Sequence, residues 1–434
     1  MEPSPLSQRA RNVLGSANSL MWDIMRNPWC PTTKPDGYVN VGVAENALMH
    51  EDLLAYINMQ LTLPAKYLTY NDGAIGAERL RRAMAAFLNK HLHPVQPLTT
   101  DHLLVTNGVS SAIEHMSWAF TDPGEGILLG RPYYGTFIPD MSVRPGAKVI
   151  PVDFHDCDPF SLEAVDCYER ALLDFQETTG RKVRAVMLCH PHNPLGRCYP
   201  RETIIHLMRL CQKYQMHLIS DEIYALSVWD NTIDADPAPV AFESALSIDT
   251  TGIIDPGLLH LLWGMSKDFG ANGIRLGVII SQNNPVLLDA IKGVSLYTYS
   301  SSVSEHLAAL ILEDEEFTTR YIQLNQQRLS ESYAFAAQYL KNHGIEYATG
   351  ANAAFFLWVN LGRKYRELHP EETAALGDDI GEKVMEVLLQ RKVFLASGFL
   401  FGSEKSGWFR IVFTHPREYL EEALRRIVLA LDDC

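Results

Sequence analysis

One lysine stands among small residues in Gly264-Met265-Ser266-Lys267-Asp268-Phe269-Gly270, followed by Gly273-Ile274-Arg275-Leu276-Gly277. A planar ligand can approach closely at such a place, and a partly desolvated amine is a nucleophile for an aldehyde. Arg275, eight residues on, is a forked cation suited to a phosphate. In Ser220-Asp221-Glu222-Ile223-Tyr224, Asp221 is either an acidic helix cap or a buried carboxylate that keeps a pyridine nitrogen protonated, so that the ring accepts electrons. His192-Asn193-Pro194-Leu195-Gly196 has the composition of a turn. Asn107-Gly108-Val109-Ser110-Ser111 joins a strand-like to a helix-like stretch, where free backbone N–H groups and the helix dipole suit a phosphate. Singly, each segment reads equally well as a turn, a cap or a solvated charge. Their order and spacing along one chain carry the chemistry.

Each of these segments follows a short apolar run. Runs at 103–106, 127–129, 148–152, 184–189, 217–220, 258–264 and 276–280 read as buried strands, and 77–92 and 111–120 read as helices. Such alternation predicts an α/β fold with a seven-stranded, mostly parallel sheet covered by helices on both faces. The stretches 229–255 and 363–379 read as polar surface excursions. Beyond about residue 316 a long helix, strands at 353–359 and 408–413 and a terminal helix suggest a smaller α+β domain. The first 36 residues, with Trp22 and Trp29 among Pro, Ser and Asn, read as an arm with one short helix. The expected division is residues 1–67 as the arm and part of the small domain, 68–315 as the large domain, and 316–434 as the C-terminal small domain.

A chain of 434 residues is long for a single core, which agrees with two packed domains. Its net charge of −15 argues against a nucleic-acid groove or a polybasic membrane surface. Seven scattered cysteines form no CxxC and no zinc-spaced Cys/His cluster, so reduced thiols in a cytoplasmic protein without a metal are expected. No apolar run follows Arg9 and Arg11 as in a signal peptide, and none approaches the roughly 18 residues of a membrane span.

Phosphate loop, Tyr133-Tyr134, Asn193, Asp221 with Tyr224, Lys267 and Arg275 occur in the chain order of fold-type-I pyridoxal 5′-phosphate (PLP) enzymes. The sequence resembles the class I/II aminotransferase family from about residue 22 to 430. Within that family it is most similar to 1-aminocyclopropane-1-carboxylate (ACC) synthase-like proteins. That likeness rests on Val43-Ala44-Glu45-Asn46-Ala47-Leu48, Pro132-Tyr133-Tyr134, Ser266-Lys267-Asp268 and Gly407-Trp408-Phe409-Arg410. The resemblance implies PLP as cofactor, carried by Lys267, which also moves the substrate Cα proton. It implies that Asp221 pairs with the pyridine nitrogen, that Asn193 and Tyr224 bond the ring oxygen, and that Tyr134 stacks on the ring. Gly108, Val109, Ser110, Ser266 and Arg275 would hold the phosphate. Arg410 would pair with the substrate α-carboxylate, with Glu45 beside the substrate. A homodimer is implied as well, with Tyr70 serving the opposite subunit.

Two positions depart from the family pattern. Gly264 stands where a serine is usual, and Ala74 stands where plant ACC synthases have a tyrosine, which leaves Tyr70 as the nearest replacement. The implied reaction is γ-elimination or γ-replacement on S-adenosylmethionine or a related γ-substituted amino acid. The alternative is an aminotransferase or a β-lyase. The electron sink is common to all of these, so the motifs do not choose among them.

Overall fold

The computed structural model describes residues 5–15, 19–374 and 376–432. Seven short strands build the main sheet: β1 (Leu103–Thr106), β2 (Gly126–Gly130), β3 (Lys148–Val152), β4 (Val183–Cys189), β5 (His217–Asp221), β6 (Leu259–Gly264) and β7 (Gly277–Ile280). Their burial is nearly continuous and does not alternate, as befits a sheet with helices on both faces; only the edge strand β3 carries an exposed residue. The order is β1-β7-β6-β5-β4-β2-β3, with β7 antiparallel to both neighbours and every other pair parallel. This is an α/β fold built on a seven-stranded, mostly parallel sheet. Each of the seven strands expected in this sheet is present, with ends shifted by no more than a residue, while the strand expected at 353–359 begins three residues later, at Phe356.

Because β7 runs against the rest, its start lies at the same sheet edge as the C-terminal ends of the other strands. The loops after β1, β2, β4, β5 and β6 and the loop before β7 therefore meet there, where open α/β sheets place their ligands. A second, antiparallel sheet has the order Ala396–Ser397, Trp408–Val412, Phe356–Asn360, Glu346–Tyr347. The helix Glu315–Asn342 packs against its Glu346–Tyr347 strand, and Arg417–Asp432 packs against that helix and the short pair Val39–Asn40 and Val393–Phe394. One apolar core runs from Met187, Ile219 and Leu262 of the main sheet through Tyr224 to Phe355, Phe356 and Phe409 of the second.

Two expectations need correction. The segment 363–379 is not a plain excursion, because the helix Leu361–Leu368 buries Leu361, Gly362 and Tyr365 and a further turn spans Pro370–Thr373. The arm has two helices, Gln8–Asn12 and Ser19–Arg26, and its continuation Val39–Asn40 pairs in parallel with Val393–Phe394. Six cysteines are free thiols, and Cys434 lies outside the described residues. Among the described residues no helix is long and apolar enough to cross a membrane.

Candidate active site

Strand β6 ends at Gly264, and a single helical turn, Met265–Asp268, presents Lys267. Lys267 Nζ donates to the Ala44 carbonyl at 2.6 Å. Burial lowers its pKa to about 8; the positive charges of Arg410 and Arg275 push the same way, while Glu45 and Asp221 oppose them. Three distant positions of the sequence, with Arg275 nearby, thus act on one amine. The segment after Ala44 is locked to the lysine loop at two further points. Asn272 Nδ2 donates to Glu45 Oε1 at 3.0 Å. A Cβ at Gly270 would stand 2.3 Å from the Asn46 carbonyl oxygen, so that approach requires glycine.

The opposite wall is made by backbones in close contact. Gly108, at φ +121°, caps the twelve-residue helix Val109–Phe120, whose first N–H groups face out of the sheet edge. A Cβ at Gly108 would lie 2.3 Å from Arg275 Nη2, and one at Gly277 would lie 2.6 Å from the Val109 nitrogen. The exposed Arg275 is steadied by Nη1 donating to the Asn272 carbonyl at 2.9 Å. At Gly264 a Cβ would meet the Leu276 carbonyl oxygen at 2.6 Å and Val109 Cγ2 at 3.2 Å. The departure from the usual serine therefore has a steric cause. Ser266, 8% exposed, lies beside Lys267 on the same turn, and Ser110 lies close enough to Asp140 to draw its carboxyl down against the effect of burial.

Asp221 closes β5 and is buried. Its Oδ1 accepts the Ile223 N–H at 3.3 Å, and burial pushes its pKa up to about 7, against the pull of Lys267. On the neighbouring strand Cys189 pairs with it in register, and its thiol donates to the Pro191 carbonyl. Arg410 is 3% exposed, and its guanidinium lies 4.4 Å over Phe356 and 4.7 Å over Phe401. Its Nη1 donates to Asn193 Oδ1 at 2.8 Å and its Nη2 to the Gly42 carbonyl at 2.7 Å. Its Nε is buried without a partner. Burial lowers even this guanidinium, to about 10. Tyr224 packs edge-on against Phe355 and Phe356, and the half-buried Tyr134 packs edge-on against Phe137. Both phenols are raised by burial and both feel Arg410 and Asp221.

One expected site residue stays out of this cluster. Tyr70 is 81% exposed, on the loop before the helix Glu78–Leu92, near the half-buried Ala74. Two residues were missed by the sequence reading. Asp268 is fully hydrogen-bonded beneath Lys267, and the Ser-Lys-Asp run was its signal. Asp140 is half-buried beside Ser110, its carboxyl raised to about 7 by burial and one oxygen without a partner. It lies on a six-residue helix with no motif to mark it.

An enclosed amine, a buried carboxylate, aromatic faces and a helix N-terminus against which an arginine lies suit a planar aldehyde bearing a phosphate. No group of His, Cys, Asp or Glu among the described residues is arranged to hold a metal ion. Among solved structures the fold is shared by aspartate aminotransferase from Thermus thermophilus with maleate, at TM-score 0.72 and 20% identity, covering 98% of this chain and 99% of that one. The chain belongs to the aminotransferase class I and II family, whose sequence pattern matches residues 65–427. It is 31% identical to the probable aminotransferase sirI of Leptosphaeria maculans, across 99% of this chain and 98% of that protein. It is 30% identical to 1-aminocyclopropane-1-carboxylate synthase 7 of Arabidopsis thaliana, across 92% and 88%. The chain is accordingly a PLP-dependent enzyme of amino-acid chemistry.

Proposed function

We propose that the enzyme removes the α-proton of an amino acid and expels a leaving group from its side chain, by γ-elimination or γ-replacement, with S-adenosylmethionine the leading substrate. The observation that carries this reading is Glu45, held by Asn272 close enough to Lys267 for its charge to raise the amine. A carboxylate there favours a cationic side chain, such as a sulfonium, by on the order of 1 kcal/mol or more once partly desolvated. The same charge disfavours the side-chain carboxylates of common 2-oxo acid amino acceptors.

PLP, when bound, supplies an electron sink for the pair left at Cα as its proton departs. In this reading Lys267 Nζ carries the cofactor and moves that proton. Asp221 would keep the pyridine nitrogen protonated, and Tyr134 would cover the ring. With its Oδ1 taken by Arg410, Asn193 has its amide N–H₂ left for the ring oxygen, alongside the Tyr224 hydroxyl. The backbone of Gly108, Val109 and Ser110, with Ser266 and Arg275, would hold the phosphate. Arg410 offers its unpartnered Nε to the substrate α-carboxylate. Residues 68–315 would then bind the cofactor, and 1–67 with 316–434 would supply the substrate side. We also infer a cytoplasmic homodimer. It is supported by the family resemblance, by the exposed Leu68, Tyr70, Leu296 and Tyr297, which a second subunit would cover, and by the free thiols. Tyr70 would there reach the partner subunit's site.

The second reading, an aminotransferase or β-lyase, is favoured by the end-to-end likeness to a probable aminotransferase and by Ala74. Mass spectrometry of the holoenzyme with S-adenosylmethionine separates the two. Methylthioadenosine is the expected product. Intact S-adenosylmethionine, together with stoichiometric exchange between an amino acid and a 2-oxo acid, would overturn the first reading.

A further inference from the structure

Lys267 rides on a helix of only four residues. One turn fixes several dihedral angles for very few hydrogen bonds, so it does not hold its shape unaided. The support comes from the next residue. Asp268 is 1% exposed and accepts three hydrogen bonds. Trp263 Nε1 at 3.0 Å and the Leu226 N–H at 3.2 Å reach Oδ2, and Ser227 Oγ at 2.8 Å reaches Oδ1. Trp263 is on β6, just before the lysine turn. Leu226 and Ser227 close the turn after Asp221 and Tyr224, with the Ser227 N–H on the Tyr224 carbonyl. One carboxyl group thus joins the segment bearing Lys267 to the segment bearing Asp221 and Tyr224. The long helix Glu315–Asn342 holds both from outside: Tyr321 Oη donates to the Phe269 carbonyl at 2.8 Å and Gln326 Nε2 to the Leu226 carbonyl at 3.0 Å.

We propose that Asp268 is a positioning residue: through Trp263, Leu226 and Ser227 it sets where Lys267 Nζ stands relative to Asp221 and Tyr224. The inference rests on the reading of Lys267 as the cofactor-bearing lysine. Its partners show that shape, more than charge, is what Asp268 supplies. An asparagine amide oxygen in place of Oδ2 keeps the Trp263 and Leu226 bonds, and its N–H₂ donates to Ser227 Oγ, which accepts as readily as it donates. Alanine leaves three buried donors unpaired.

The test uses the full-length chain as wild type, Asp268→Asn, Asp268→Ala, Ser227→Ala and Trp263→Phe. Borohydride reduction of the wild-type holoenzyme and peptide mapping come first. A label on another lysine ends the Lys267 reading itself and the inference with it. With Lys267 labelled, two quantities are read. One is the rate at which added PLP becomes borohydride-fixed to cofactor-stripped protein; the other is the pH midpoint of the visible cofactor band. Asp268→Ala is expected to slow capture about tenfold or more and to shift the midpoint, while Asp268→Asn stays within about threefold of wild type. Ser227→Ala and Trp263→Phe each remove one donor and should fall between; they carry the test if Asp268→Ala does not fold. A lowered melting temperature with capture and midpoint unchanged would overturn the proposal. So would Asp268→Asn proving as slow as Asp268→Ala.

Discussion

The edge of the main sheet and the loops at its rim are built on opposite plans. At the sheet edge, Lys267, Asp221, Asn193 and Arg410 are all tied to backbone or to one another. The glycines at 108, 264 and 277 let three strand ends nearly touch. At the rim, Tyr70, Leu68, Leu296 and Tyr297 stand in solvent. A preorganised interior fits the chemistry common to a whole family. In the proposed homodimer the exposed apolar rim would take its final environment from the partner subunit, and specificity could differ there without disturbing the interior.

The largest effect should come from the interior. Lys267→Ala is expected to abolish turnover while the far-ultraviolet spectrum stays that of the wild type, and a variant that still turned over would dissolve the contrast. Asp221→Ala should follow, with kcat lowered about a hundredfold or more, the equivalent of the roughly 3 kcal/mol that breaking a buried charge pair costs. Circular dichroism and cofactor titration together would show whether the loss is chemical or structural.

Glu45→Gln probes the boundary between the two regions. The Glu45 charge favours the protonated amine, so its removal should move the Lys267 midpoint below about pH 8, whereas neutralising Arg410 should move it above. PLP capture by the neutral amine would then begin at lower pH in Glu45→Gln, as stopped-flow absorbance would record. The KM for a cationic substrate should rise about fivefold and that for a neutral one hardly at all. The smallest effect on stability belongs to Tyr70→Ala, within about 0.5 kcal/mol for a side chain so exposed. Its activity should nonetheless fall and partly return when it is mixed with Lys267→Ala subunits. A fully active monomer in sedimentation would remove the rim's proposed role.

Much of this was legible in the chain because local rules wrote it. Seven apolar runs could only be buried strands, and the small residues flanking Lys267 and Gly108 marked places of close approach. The helix Leu361–Leu368 is not legible where 363–379 reads as an excursion, because the residues it buries, Leu361, Gly362 and Tyr365, are few among charges. Asp140 went unnoticed because nothing near it in sequence repeats or spaces a motif.

The sequence by itself determined the order of strands and loops and the residue types at each strand end, since burial and turn chemistry depend on near neighbours. It could not determine what faces what. That Ala44 takes the Lys267 proton donor, that Asn272 holds Glu45, and that Gly264 excludes a serine are contacts between segments as many as 227 residues apart. Whether a side chain there binds, orients or merely fills space is set by distances of a few ångströms across the packed core, and only the tertiary structure decides those.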